Sequence, residues 1–213
     1  MKRELLVIPD VTEEAARVFL NERPRTVLLA GGRTPRPLYA RLASLRYTWA
    51  ALDVFFSDER CVPPDHPDSN FRMAHEALLS KVPAIVHRMR GETCDADAYE
   101  RELRSFFGQG PTAFDLAFLG MGADGHTASL FPGDPALEET QRLVVRVQRP
   151  DHPRLTLTLP ALCASRLAVF LVSGAEKREA LRQVLSGEDV PAARVAARRV
   201  VIIADPAAVP TAG

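Results

Sequence analysis

The chain carries no excess of charge of either sign. Its 27 Lys and Arg residues are matched by 27 Asp and Glu, giving a net charge of zero. Such a balance argues against nucleic-acid or membrane binding through bulk electrostatics, although a local basic pocket remains compatible with it. Long apolar runs are also lacking: none approaches the length needed to cross a bilayer, and the run within MKRELLVIPD is too short for a signal-peptide core. Cysteine is scarce. Cys61, Cys94 and Cys163 are far apart, with no CxxC or Cys/His pair at zinc-ligand spacing. They are expected to be reduced thiols, packed as small hydrophobes in a cytoplasmic protein. No GK[ST] follows a glycine loop, which excludes a P-loop, and without GxSxG a serine hydrolase lacks its nucleophile elbow. His66, His75, His87 and His152 fall in a Pro-rich loop, a helix, a strand and a Pro-flanked turn, so no metal constellation is expected, and no cofactor.

What is present describes a globular protein. Of the 213 residues, 46% are hydrophobic and 25% charged, enough for a sizeable core. Short apolar runs are expected as strands at 5–8, 26–30, 54–56, 85–87, 114–119, 143–147, 155–159, 168–172 and 200–204. Between them, helices are expected over 12–21 (capped by Thr12), from Pro35 through Leu42, after Ser69 or Asn70, over 95–107 and over 174–185. Alternation of this kind implies an α/β fold: a mostly parallel, Rossmann-like doubly wound sheet flanked by helices, in one domain over 1–213, with 205–213 a loose tail. The segment CVPPDHPDSN is expected as a rigid, exposed loop.

Three strand-to-loop junctions are built alike, with AGGRTP at 30–35, SDER at 57–60 and GMGADGHT at 120–127. Ligands of open parallel sheets bind beyond the C-terminal strand ends, so these loops are expected to converge on one pocket. Gly31, Gly32, Arg33 and Thr34 have the make-up of an anion cradle of backbone N–H groups and a hydroxyl. Arg60 and Lys177 are the natural cationic partners, arginine gripping a phosphate through two parallel bonds and lysine as a point charge. Residues 120–125 match GxGxxG, but the loop lies mid-chain, Pro132-Gly133 soon interrupts any helix, and the ribose-binding acid is not well placed. His126 is the only histidine set among glycines at an expected strand end, with Thr127 and Ser129 expected to open a helix. An imidazole there can move a proton near neutral pH.

The segments LAGGRTPRPLY (29–39), FFSDERCVPPDHPDSNF (55–71), FDLAFLGMGADGHTASLFPG (114–133), RLTLTLPAL (154–162) and SGAEKREAL (173–181) together resemble the 6-phosphogluconolactonase family. The related glucosamine-6-phosphate deaminases share the GxDGH loop. Theirs continues with isoleucine-alanine-phenylalanine-asparagine, and their acidic loop ends in tyrosine, where this chain has Arg60. The resemblance implies hydrolysis of 6-phospho-D-glucono-1,5-lactone to 6-phosphogluconate in the pentose phosphate pathway. It implies His126 as general base, with N–H groups of the 122–126 loop, or secondarily the Arg60 guanidinium, as oxyanion donors, and Gly32, Arg33, Thr34, Arg60 and Lys177 on the phosphate. Arg154 matches a family arginine, directed at either the phosphate or the sugar hydroxyls. Asp58, Asn70 and Asp124 are expected to orient hydroxyls or hold loops, and Gly31 and Gly125 to let the backbone approach substrate. Arg33 stands where the family more often has a small hydroxyl residue, exchanging a hydroxyl contact for positive charge. The expected partner is a small sugar-phosphate lactone, with no nucleic acid or membrane, bound by a monomer or weak homodimer. A non-catalytic sugar-phosphate sensor is the rival of another class. Such domains come attached to DNA-binding regions, for which no room is expected before Leu5.

Overall fold

The computed structural model describes residues 3–108 and 110–210. Its elements run β1 (Arg3–Val7), α1 (Val11–Glu22), β2 (Thr26–Leu29), α2 (Pro35–Ala43), β3 (Asp53–Phe56), β4 (Asp58–Arg60), α3 (Asn70–Ala74), β5 (Ile85–Val86), α4 (Ala96–Phe107) and β6 (Leu116–Gly120). They continue with β7 (Val144–Val147), β8 (Arg154–Leu157), α5 (Leu159–Cys163), β9 (Leu167–Val172), α6 (Arg178–Ser186), α7 (Pro191–Arg194) and β10 (Arg199–Ala204). Seven strands form a sheet in the order β1-β10-β9-β6-β2-β3-β5, and every pair in it is parallel. Its central strands are sealed from water: β9 is buried along its whole length, and Leu116 through Leu119 of β6 likewise. Strands covered on both faces are written as continuous apolar runs, which is why they stand out in the sequence. No helix among the described residues is long and apolar enough to cross a membrane.

The expected α/β sheet is therefore present, and the departures from expectation are instructive. β4, β8 and β7 form a second, antiparallel sheet. Ser57 joins the two sheets: its N–H donates to Leu29 O and its carbonyl accepts from Leu157 N–H. The segment 127–130 is no helix. Thr127 and Leu130 close a tight turn, and Ala128 sits in the left-handed region at φ 50°, which cannot propagate a right-handed helix. Asp10, not Thr12, caps α1 through the Glu13 N–H. Residues 205–210 are not a loose tail, because Ala208 is fully buried and its N–H donates to Asp205; residues 211–213 lie outside the described part. Cys61 and Cys94, expected as thiols, form a disulfide across a Cα–Cα distance of 5.1 Å. Thirty-three positions of sequence separate them, so only the close approach of the 88–95 loop to the end of β4 brings them together. Cys163 stays free, and burial pushes its thiol pKa up.

Candidate active site

The C-terminal ends of the parallel strands open on a cleft of about 610 Å³. Its lining includes Gly31, Gly32, Arg33, Thr34, Asp58, Arg60, Asn70, His126, Arg154 and Lys177. Ten of the twelve residues singled out in the sequence thus meet in one hollow. Asp124 is bonded to His126 without itself lining the cleft, and Gly125 is the other exception. It sits at φ 79°, a Cβ there would lie 2.8 Å from Val190 Cβ, and its carbonyl accepts from Ala192 N–H. Its glycine serves packing against the Val190–Ala192 segment rather than approach to a ligand.

The glycine loop after β2 is shaped by its neighbours. A Cβ at Gly31 would fall 1.9 Å from Asn70 Oδ1, so the first glycine makes room for that amide. Gly32 has φ 104°, a conformation that side chains resist. α2 then opens at Pro35 with no side-chain cap, which leaves the start of that helix directed at the cleft.

The small sheet delivers the arginines. Arg60 of β4 lies directly opposite Arg154 of β8 in the antiparallel register, which places both on one face. Like charges so placed repel, and an anion between them would relieve the repulsion. Arg60 Nη1 donates to Asp68 O at 2.8 Å and Asn70 Oδ1 at 2.9 Å. Arg154 pairs with Asp151. The Nε of each arginine is buried without a hydrogen-bond partner among the described residues. Beneath them lies a polar lattice. Asp58, 6% exposed, accepts from the hydroxyls of Ser57 at 2.9 Å and Ser129 at 2.7 Å. Glu59 accepts from the N–H groups of Arg60, Asn70 and Phe71 and from the Ser69 hydroxyl. Burial raises the Glu59 carboxyl pKa in spite of these four bonds. Behind β4, a Cβ at Gly91 would meet Arg60 O at 2.1 Å, so the disulfide-bearing loop abuts the strand end at Arg60.

His126 is held by two contacts. Its ring lies 4.6 Å from the Phe131 ring, and Nδ1 is 2.6 Å from Asp124 Oδ1. Burial works to raise the Asp124 carboxyl pKa, but bonds from the His126 ring and backbone N–H outweigh it and hold the group below its ordinary range. An ionised carboxylate can only accept, so Nδ1 carries the proton of this bond and Nε2 is the ring nitrogen left for other partners. A Cβ at Gly122 would fall 2.0 Å from His126 Nδ1, so that glycine is required for the imidazole to fold back. Arg154 reaches the same locale, its Cζ 5.7 Å from the Phe131 ring. Lys177 ends a short 3-10 turn, Ala175–Lys177, after β9. Asp205 pins that loop, accepting from the Ser173 hydroxyl and the Gly174 N–H.

Several features were not foreseen. Three N–H groups expected as oxyanion donors are already engaged: Gly122 with His126 O, Gly125 with Gly122 O, and His126 with Asp124. Asp124 orients the imidazole, and the i, i+2 spacing of D-G-H was the signal available for it. Glu176 and the 9–12 junction after β1 also line the cleft; the latter follows from the same strand-end rule used for the other loops. Arg149, whose Cζ is 3.9 Å from the Phe131 ring, had no sequence signal. His66 and His152, expected to be unrelated, meet at Asp68 with one ligand atom of each of the three residues within 4.8 Å of the others.

Known proteins share this chain's sequence and fold. The family model described as glucosamine-6-phosphate isomerases/6-phosphogluconolactonase matches residues 7–203. A 6-phosphogluconolactonase of Synechocystis is 44% identical over 192 residues, covering 85% of this chain and 80% of that protein. One from Thermotoga maritima is 41% identical over 191 residues, covering 84% and 80%. The crystal structure of the Thermotoga maritima enzyme superposes with a TM-score of 0.87 at 34% identity, covering 96% of this chain and all of the other. A monomeric glucosamine-6-phosphate deaminase shares the fold, with a TM-score of 0.83 at 22% identity. With a family match over nearly its whole length and its site loops in one cleft, the chain belongs to the glucosamine-6-phosphate isomerase/6-phosphogluconolactonase family.

Proposed function

We propose that this protein is a 6-phosphogluconolactonase, hydrolysing 6-phospho-D-glucono-1,5-lactone to 6-phosphogluconate in the oxidative pentose phosphate pathway; a cytoplasmic location belongs to the same proposal. The observation that carries it is the His126 imidazole, bonded to Asp124, in the cleft that Arg60, Arg154 and Lys177 also line. The neutral imidazole takes a proton from water at Nε2 as the water attacks C1. Asp124 holds the tautomer and stabilises the imidazolium that forms. The same proton then returns to the ring oxygen as the lactone opens.

The phosphate end is remote from the reacting carbonyl and supplies binding energy that positions C1. Gly32, Arg33, Thr34, Arg60 and Lys177 hold it. Arg154, near the Phe131 ring on which His126 rests, faces the carbonyl end and meets the negative charge that develops there. This assignment follows from the prior engagement of three loop N–H groups. Asp58 and Asn70 fix the walls through the bonds described above, and Gly31 makes room for Asn70.

The test is stopped-flow consumption of freshly generated phosphogluconolactone with and without protein, with glucosamine 6-phosphate and an ammonia assay as the counter-substrate. Acceleration of the first reaction and silence in the second are expected. Ammonia release without lactone turnover would assign the protein to the deaminase branch.

A further inference from the structure

Two loops at the rim of the cleft bring together three metal-ligating side chains for which the proposed reaction has no use. His66 and Asp68 lie in the Pro-rich segment between β4 and α3, and His152 lies in the turn between β7 and β8. One ligand atom from each lies within 4.8 Å of the others. His152 Nε2 is 3.1 Å from Asp68 Oδ2, and His66 Nδ1 is 3.9 Å from the same oxygen. The two imidazole rings meet edge-on with centroids 5.4 Å apart. We propose that His66, Asp68 and His152 form a binding site for a divalent transition-metal ion of the zinc type, which clamps the two loops together.

The donor set selects the ion. Two imidazoles and one carboxylate suit Zn²⁺, whereas Mg²⁺ and Ca²⁺ take oxygen ligands. Zinc bonds of about 2.0–2.2 Å let donors some 3–4 Å apart share one ion, so the three side chains need only small rotations. Their exposures of 37%, 57% and 30% leave an entry path and room for water as the remaining ligand. The scaffold is stiff: Pro63, Pro64, Pro67, Pro150 and Pro153 restrict the backbone. The His66 N–H donates to Pro63 O, the Ser69 N–H to His66 O, and the Cys61 N–H to Pro153 O, which crosses from one loop to the other. Donors preorganised in this way favour a specific ion.

Two hydrogen bonds are exchanged when the ion binds. The Asp68 N–H now donates to His66 Nδ1 at 3.1 Å, and His152 Nε2 shares a proton with the Asp68 carboxylate. Coordination takes the ring lone pairs, and the proton between His152 and Asp68 moves to the far ring nitrogen or to solvent. The link to the cleft runs through Asp68, whose carbonyl accepts from Arg60. A clamp at Asp68 therefore braces that arginine from behind.

The experiment titrates Zn²⁺ into chelator-stripped full-length protein against a chromophoric chelator, with Co²⁺ absorption reporting the ligand geometry. One ion per chain is expected. D68N at an exposed position and H152A at a half-buried one, each confirmed as folded by circular dichroism, should each weaken binding by at least about tenfold, since even a ligand's outer partner costs that much. C163S and H126A should leave the affinity unchanged, which excludes the free thiol and the cleft imidazole as the ligands. Absence of saturable binding, wild-type affinity in both D68N and H152A, or loss of binding in C163S or H126A would each overturn the site.

Discussion

The two sheets divide the labour of this protein. The seven-stranded parallel sheet is a buried apolar slab whose strand ends supply backbone loops and the Asp124–His126 pair. The three-stranded antiparallel sheet is small, and it supplies the opposed arginines Arg60 and Arg154. Hydrophobic burial sustains the first, which contributes to function only at its rim. The second places two like charges side by side at a cost in stability. A fold of this kind can vary its binding chemistry on the small sheet without unsettling the large one. Ser57, bonded to both, is the joint between them.

The sharpest test of that division is His126→Ala. It should lower kcat by about 10²–10⁴, the usual worth of general-base help, with an unchanged thermal midpoint; near-native turnover would remove the base assignment. Phe118→Ala in the centre of β6, where Phe118 is fully buried, should do the reverse. A loss of roughly 3–5 kcal/mol in urea-measured stability is expected, with KM little altered for the molecules that remain folded. Opening the Cys61–Cys94 bridge, by reduction or by a double Cys→Ser change, should cost about 2–4 kcal/mol. Because the bridge lies next to Arg60, KM should rise as well, which would tie the small sheet's stability to binding.

Arg154→Ala comes next in size. Loss of charge-assisted bonds to substrate is worth roughly 1.5–3 kcal/mol, or about tenfold to a hundredfold in kcat/KM, with stability held or slightly improved as the repulsion with Arg60 is removed. A clear drop in thermal midpoint would contradict the view that this pair strains the small sheet.

The smallest effect is expected at the opposite end of the parallel sheet. Asp115 accepts from the N–H groups of Arg25 and Thr26 and from Arg166. Burial pushes its carboxyl pKa up, and these three donors outweigh that and hold it below the usual carboxylate range. A depressed folded pKa contributes stability above the unfolded value and loses it as pH falls through the folded one. Asp115→Asn should therefore cost about 0.5–1 kcal/mol at pH 7, after allowance for solvent screening. The deficit against the parent should shrink steadily in unfolding curves taken below about pH 4.

Legibility in the sequence followed the same division. β6 and β9 were plain because doubly covered strands are apolar throughout, and the strand-end rule then gathered the loops from 30–35, 57–60 and 120–127 into one cleft. β4 was hidden: Asp58-Glu59-Arg60 has no strand-like pattern, and only pairing with Arg154-Leu155-Thr156 makes it a strand. The turn at 127–130 passed for a helix start because Thr and Ser also cap helices. The left-handed backbone at Ala128 breaks any helix there, and the Ser129 hydroxyl ties the turn to Asp58, 71 positions away. At Gly125 the demands of φ and of packing write the same residue that ligand approach would.

By itself the sequence determined the layered α/β class, the order of the strands along the chain and the chemical types gathered at their ends, since period and composition act locally. Only the tertiary structure decided which distant groups meet: Cys61 with Cys94, Arg60 opposite Arg154, and His66 with Asp68 and His152. The reason is that a contact between remote residues is set by how sheets and loops close on one another, a free energy summed over the whole packed chain and not carried by any segment of it.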